Sequence, residues 1–582
     1  MAAQAVRKVT AASEWPRRAG DGPTMNGAAT AQLELTHSAK VAADVLGQAC
    51  VCRLVFPSIV MDATDMVRPL VLRRGDQTVA VFVPESEQPA LAWAKPAPVV
   101  LHGYYFTWGT RPRPGLSDAV ARVTGGASIR LDADAPAALY ETLAKSVDVE
   151  VTSPASLAPV HAFRLSAADV DARWEADDPE LRAAARRAAR CLEDSRRDAV
   201  CEAAAPSRFT VLDATLQEAE LDGVLATSPL HVQGLTGLSF REIARARAAV
   251  LYLRGEPEVI LLAESSNLPF PAAAIARSGD LASAVAALAS GRIGYEELHL
   301  SVGVLRSLNE RYGRCVPASE TVRRWEDRMA AANAPAFLLA SLSAVQGMDV
   351  AIQRAQALSA AGQHYAEEDL AVVYRSALER FAASLGMTAR LLPYFEIIQA
   401  GERTLYPAMP SSFPITADTQ TIKFDVGTLV LDRRGLIRGC SDLARTCAFG
   451  SEASEMNAAL DAIVRNDLPR AIRPGRSGAE VYASGVAALK EHERHFRALG
   501  FLASKTAAEG YARDCGHGLA RQTPCTVRFA AGVRAILEDG MMACVELVWP
   551  HDRTVVAVED AWFVDGQGGV NLTRHTGWVW EP

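Results

Sequence analysis

A helix-opening motif occurs twice in the last 265 residues, and each copy is followed by a β-hairpin that carries two acids. Gly362-Gln363-His364-Tyr365-Ala366-Glu367 opens a helical stretch that closes at Leu385-Gly386. Gly475-Arg476-Ser477-Gly478-Ala479-Glu480 opens another that closes at Leu499-Gly500, and the two starts lie 113 residues apart. The first hairpin runs from Thr421 to Gly427 and returns through Gly439 to Leu443. The second runs from Met542 to Val548 and returns through Val556 to Asp560. A repeat of this kind makes 318–582 one domain of two related halves, each contributing a pair of carboxylates.

Those carboxylates are Asp425 and Asp442 in the first half, and Glu546 and Glu559 in the second. Their neighbours are β-forming and apolar, where an unpaired carboxylate costs several kcal/mol. The period of two along a strand sets Cys440 on the face of Asp442 and Cys544 on the face of Glu546, and a small side chain there leaves room for a pocket. The competing reading puts all four acids in solvent at strand ends. A fifth group, His517, lies in Cys515-Gly516-His517-Gly518-Leu519, where flanking glycines let the backbone pass close to whatever the imidazole touches. Four carboxylates with one imidazole form an oxygen-rich donor set for divalent metal ions, and two ions are accommodated when two of the acids bridge. Manganese suits such a set, with iron, cobalt or zinc as alternatives.

A shorter duplication lies upstream. Arg74-Gly75-Asp76-Gln77 leads into Thr78 to Ser86, with a first strand at Arg68 to Leu72, and Arg254-Gly255-Glu256 leads into Val259 to Ser265 behind Ala249 to Leu253. Both copies continue into alternating Ala-rich helices and short apolar strands, so two related α/β domains are expected at 33–165 and 208–317. The segment 166–207 reads as a charged helical linker that needs no role beyond spacing or a subunit contact, and 1–32 as a disordered tail or a start site placed upstream of Met25.

With 582 residues, 22% charged, 49% hydrophobic and a net charge of -8, the chain falls in the soluble globular class. Lys and Arg do not cluster, which argues against a nucleic-acid partner. The longest apolar runs noted, Ala248 to Leu253 and Val259 to Ala263, fall short of a membrane span. Ten cysteines without a Cys-x-x-Cys pair form neither a disulfide framework nor a zinc ribbon, and a reducing cytoplasm is expected. His492-Glu493-Arg494-His495 has its histidines three apart in a charged helix, which is a solvated face and not a zinc-protease motif. Cys440, Cys447, Cys515, Cys525 and Cys544 read as small core residues and not as nucleophiles.

The motifs resemble the pita-bread metallohydrolases, the family of methionine aminopeptidase, aminopeptidase P, prolidase and creatinase. The residues that carry the resemblance are Asp425 in Asp-Val-Gly, Asp442 in Ser-Asp-Leu-Ala-Arg-Thr, His517 in Gly-His-Gly, Glu546, and Glu559 in Glu-Asp. Upstream, Leu221-Asp222-Gly223-Val224-Leu225-Ala226-Thr227-Ser228-Pro229 and Leu235-Thr236-Gly237 are similar to the creatinase N-terminal domain. The resemblance implies an α/β (α+β) fold with a C-terminal pita-bread domain behind two creatinase N-terminal-like α/β domains. By it, Asp425 would chelate one ion, His517 and Glu546 the other, and Asp442 and Glu559 would bridge. It further implies a homodimer and a small-molecule or short-peptide substrate, with Xaa-Pro aminopeptidase chemistry as the first expectation.

This sequence departs from the family pattern in two ways. Asp425 and Asp442 are 17 residues apart, a longer interval than the family motif has, because the turn contains Asp432-Arg433-Arg434-Gly435. Two histidines that position substrate in the family's peptidases are absent, and Tyr406, Arg521 and Gln522 are the candidates to supply hydrogen bonds to substrate or oxyanion. The expected chemistry is hydrolysis of an amide or related C-N bond by a water activated between two cations, with Glu546 as proton shuttle beside His517. A specialised non-peptide hydrolase or lyase on the same fold, and a non-catalytic binding protein, are the alternatives.

Overall fold

The structure, a computed structural model, describes residues 32–36, 45, 70–84, 101–104, 115–152, 158–175, 179–203, 206–265, 267, 273–277, 279–387, 390–405, 409–498, 514–521, 526–551 and 554–574. The N-terminal segment 1–31 and the candidates Tyr406 and Gln522 lie outside the described residues.

Two sheets precede the C-terminal domain. The first has six strands in the order Leu101–Tyr104, Gln77–Pro84, Leu70–Arg74, Leu33–Thr36, Ile129–Leu131 and Val149–Val151. The second has seven, in the order Ala273–Arg277, His161–Ser166, Glu258–Ala263, Ala249–Leu253, Gly223–Ala226, Ile293–Tyr295 and Cys315–Pro317. Five consecutive strands correspond in position and direction. In each sheet an antiparallel hairpin turns through a glycine at positive φ, Gly75 or Gly255, and pairs antiparallel with a strand that continues into two parallel neighbours. The sheets differ beyond the hairpin. Leu101–Tyr104 runs parallel to Gln77–Pro84, whereas His161–Ser166 runs antiparallel to Glu258–Ala263. This strand, which sequence reading groups with the first domain, buries Phe163 and Leu165 in the second domain's core beside Leu212 and Leu261.

Two further boundaries differ from expectation. The segment after Ser166 forms the helices Ala167–Glu175, Pro179–Ala189 and Arg197–Glu202. Leu181, Ala184, Ala185 and Ala188 of the second helix pack in one core with Phe337, Leu338 and Leu342, since alanines permit close approach, so the segment does more than space two domains. The helix Ser319–Arg328 buries Val322 and Trp325 among Phe209, Leu212 and Leu216, which extends the second domain past residue 317. The long helix Ala334–Ala360 is apolar enough to cross a bilayer by composition, yet 78% of its most apolar window is buried in the protein, which makes it a core helix.

The C-terminal domain is built from two helix-and-sheet halves. Helices Ala334–Ala360 and Glu367–Ser384 cover Arg390–Ala400, Thr421–Leu431, Ile437–Cys440 and Leu443–Ala448. Helices Ser451–Ala462 and Gly478–Glu491 cover Gly516–Leu519, Met542–His551, Thr554–Asp565 and Gly568–Asn571. Ser477 and Glu480 cap the second repeated helix with a capping box, which fixes its start. That helix breaks at His492 before Glu493–Ala498, and its expected close at Leu499-Gly500 lies outside the described residues. The halves meet where Leu443–Ala448 packs on Thr554–Asp565. Thr446 Oγ1 donates to Ala557 O at 3.0 Å and accepts from Ala557 N at 2.8 Å. Arg445 donates to Glu559 O and to the buried Asp560 carboxylate.

Candidate metal centre

The seam between the halves collects the acids. Asp425 sits mid-strand in Thr421–Leu431, opposite Ile397 on one side and Ala444 on the other. Asp442 lies between the return strands Ile437–Cys440 and Leu443–Ala448. The long interval between these acids has a local cause. Asp432 accepts from the backbone N–H of Arg434 at 2.8 Å and of Leu436 at 3.0 Å, and Gly435 turns at φ 79°, so the hairpin closes late and both arms are long.

Glu546 and Glu559 are directly paired across Met542–His551 and Thr554–Asp565, so both side chains leave the sheet on one face. His517 comes in on the adjacent short strand. Gly516 makes that possible: its φ is 124°, and a Cβ there would stand 2.0 Å from Cys544 O. The His517 ring is oriented by Nδ1 against Gly518 O at 2.7 Å, which leaves Nε2 facing Asp442 Oδ2 at 3.5 Å and Glu559 Oε1 at 4.0 Å.

Donor atoms of Asp442, His517 and Glu559 all lie within 4.8 Å of one another, and all three residues are buried. Among the described residues, Glu559 Oε1 has no hydrogen-bond partner. Burial drives the Glu559 carboxyl well above the usual range, and the charges of Asp442, Glu546 and Asp425 push it further, against a smaller opposing effect of Arg445. Burial alone would lower His517, but its hydrogen bond to Asp442 and the charges of Asp442 and Glu546 outweigh this and raise it to about 9. Acids crowded this closely, with an unsatisfied oxygen and an imidazole nitrogen among them, fit a divalent cation: a bound ion would neutralise the mutual repulsion and use the orphaned lone pair. Asp442, His517 and Glu559 would hold it, with Glu546 and Asp425 flanking.

The thiols around the centre are packing groups. Burial raises Cys440, Cys515 and Cys447 above the usual thiol value, so they remain protonated. Cys544 Sγ donates to Asp442 O at 3.5 Å, and Cys440 Sγ to Ala520 O at 3.2 Å.

Arg521 is placed differently from a group that would serve substrate. It is 1% exposed, paired with Glu326, in contact with Gln233 Oε1, Leu230 O and Ile437 O, and stacked on Trp174 at 4.8 Å. Its guanidinium is therefore spent on joining the second domain to the C-terminal one. Two residues that sequence reasoning passed over stand at the centre. Arg445 bridges the halves behind Glu559, and Lys423, 5% exposed, brings Nζ to 3.6 Å from Asp425 Oδ2. The signal for Lys423 was present, since a residue two before an acid in a strand shares its face.

Comparison with known proteins accords with this geometry. Residues 343–573 match metallopeptidase family M24, and residues 208–329 match the creatinase/prolidase N-terminal domain. No curated protein sequence matches the chain. Among solved structures, an X-prolyl aminopeptidase from Caenorhabditis elegans, described as a cytosolic enzyme with a di-nuclear active site, superposes with a TM-score of 0.56 at 11% identity, covering 90% of this chain and 85% of its own. A prolidase from Pyrococcus horikoshii covers 64% of this chain and 100% of its own, at 15% identity and a TM-score of 0.48. At these identities the likeness is one of fold. On the two family matches and the architecture that joins them, residues 343–573 form a metallopeptidase family M24 domain, with a creatinase/prolidase N-terminal domain at 208–329 ahead of it.

Proposed function

We propose that this protein is a metal-dependent hydrolase of an amide or related C-N bond, working at the seam of the C-terminal halves. The observation that carries the reading is the convergence of Asp442, His517 and Glu559 with an unsatisfied Glu559 oxygen among them. A divalent ion there supplies Lewis acidity and lowers the pKa of water. Glu546 is half-buried, faces Glu559 in register and is close enough to influence His517, which suits it to take a proton from the attacking water and return it to the leaving nitrogen. Arg445, on Glu559 O and Asp560, holds Glu559 in position.

Five donors set an upper limit of two ions, the dinuclear form expected from the sequence, and their oxygen-rich character favours manganese. Xaa-Pro peptides are the first substrates to test, in keeping with what the named structural relatives are said to be. A specialised non-peptide substrate is the second reading, favoured by the placement of Arg521 away from the donors and by the absence of the two family histidines. Protein purified without chelator should carry metal by elemental mass spectrometry, and lose it in Asp442→Ala and His517→Ala. A wild type that takes up none, even with manganese supplied, overturns the reading. Negligible turnover of Xaa-Pro peptides by the metal-loaded protein would select the non-peptide branch.

A further inference from the structure

We propose that the Lys423 ammonium takes the place of one of two cations at this centre, so that a single divalent ion binds tightly on the His517 side and a second binds only weakly at Asp425. The proposal rests on the metal-centre reading above and concerns how the donors are divided.

The division is visible in the geometry. Lys423 and Asp425 alternate with Phe424 along Thr421–Leu431, so both point from the same face, and Nζ lies 3.6 Å from Asp425 Oδ2. Lys423 is nearly sealed from solvent, where an ammonium is tolerated only beside a negative charge. The same face is polar at this end. Among the described residues, Gln399, directly across from Lys423, is fully buried with neither amide atom hydrogen-bonded, and Thr421 Oγ1 is buried and unpartnered two residues before Lys423. An apolar side chain at 423 would pack such a strand more cheaply, so the charge at this position calls for an electrostatic explanation.

The remaining donors gather elsewhere. Asp442, His517 and Glu559 form the compact triad, and Glu546 is paired with Glu559 across the strands, whereas Asp425 is outside the triad and held by the lysine. A cation bonded to the Asp425 oxygen that meets Lys423 would stand no more than about 6 Å from Nζ, given a bond of about 2.1 Å. Repulsion between a dication and an ammonium at that range lowers affinity by roughly a hundredfold or more. The triad position draws on Asp442 from the same half as Asp425 and on His517 and Glu559 from the other, and its ligands would include neither Asp425 nor Lys423.

The test is metal stoichiometry and affinity. Metal-depleted full-length protein is titrated with manganese chloride, with calorimetry for affinity, elemental mass spectrometry for the count and electron paramagnetic resonance for coupling between ions. Wild type is expected to bind about one ion tightly and to give an uncoupled spectrum. Lys423→Met is expected to bind two, the second at least about a hundredfold tighter than in wild type, with an exchange-coupled spectrum. Asp425→Asn gives an independent arm if the methionine variant does not fold: it should keep the tight ion, because Asp425 does not ligate it. Two ions of similar affinity in wild type, no gain in Lys423→Met, or loss of the tight ion in Asp425→Asn would each overturn the proposal while leaving a metal centre in place. A wild type that binds no ion at all refutes the underlying reading instead, and this inference with it.

Discussion

Metal affinity should climb steeply with pH, because protons occupy the positions that the ion must take. In the metal-free protein the surrounding acids raise His517 to about 9, and burial and its acidic neighbours push the Glu559 carboxyl well above the usual range. Between pH 6.5 and 8.5 the neutral imidazole fraction rises by roughly a hundredfold, and affinity must rise with it, since metal binds only the deprotonated ring. Displacing the Glu559 proton adds to the slope. Manganese titrations against a chelator of known pH dependence measure the affinity, and calorimetry in buffers of different ionisation enthalpy counts the protons released. One to two protons per ion at pH 7 is the expected count. An affinity that changes less than about threefold across this range, with no proton released, would refute the reasoning, because it would mean that His517 is neutral before metal arrives. His517→Gln separates the two sources: it should remove the part of the slope that belongs to the imidazole and leave that of Glu559.

Three further outcomes follow from the same geometry. The raised His517 pKa stabilises the metal-free fold by at most ~3 kcal/mol, a contribution fully present below pH 6.5 and lost as pH rises through about 9, so thermal melts of metal-free protein should weaken over that window and metal-loaded melts should not follow the same course. Gly516→Ala meets both a positive φ and Cys544 O at 2.0 Å, and should cost more than ~3 kcal/mol and abolish metal uptake, read by circular-dichroism melts and elemental analysis. Arg521→Ala leaves the buried Glu326 unpaired and should lower stability by ~3–5 kcal/mol while the metal count stays at the wild-type value; an unchanged melt with lost metal would place Arg521 at the centre after all.

The sequence marks the candidate donors more clearly than it marks what surrounds them, and the reason is range. Asp442 and His517 sit in short motifs whose spacing is local, and Glu559 follows from a hairpin whose arms are contiguous. The turn at Asp432 to Gly435 is likewise a local matter, settled by an Asp side chain on two backbone N–H groups. The strand His161–Ser166 was assigned to the wrong side of a boundary because its partner, Glu258–Ala263, is remote in sequence and nothing in its own pattern names it. Arg521 fails for the same reason: next to Gly-His-Gly it invites a reading in terms of substrate, but Glu326 and Trp174, far upstream, claim the guanidinium.

Position at the seam also explains why this centre requires the whole domain. Asp425 and Asp442 come from one half, while His517, Glu546 and Glu559 come from the other, so neither half alone assembles the triad of Asp442, His517 and Glu559. The contacts that bring the halves together pass through the same strands: Thr446 against Ala557, and Arg445 against Glu559 and Asp560. Arg445 therefore has two effects on Glu559. It fixes Glu559 through its backbone oxygen, and its charge offsets part of the acid repulsion, yet burial and the neighbouring acids still push the Glu559 carboxyl well above its usual range. A centre left short of positive charge by the protein itself is one that a cation would complete, and under the proposal above Lys423, on the Asp425 side, would set how many cations that takes.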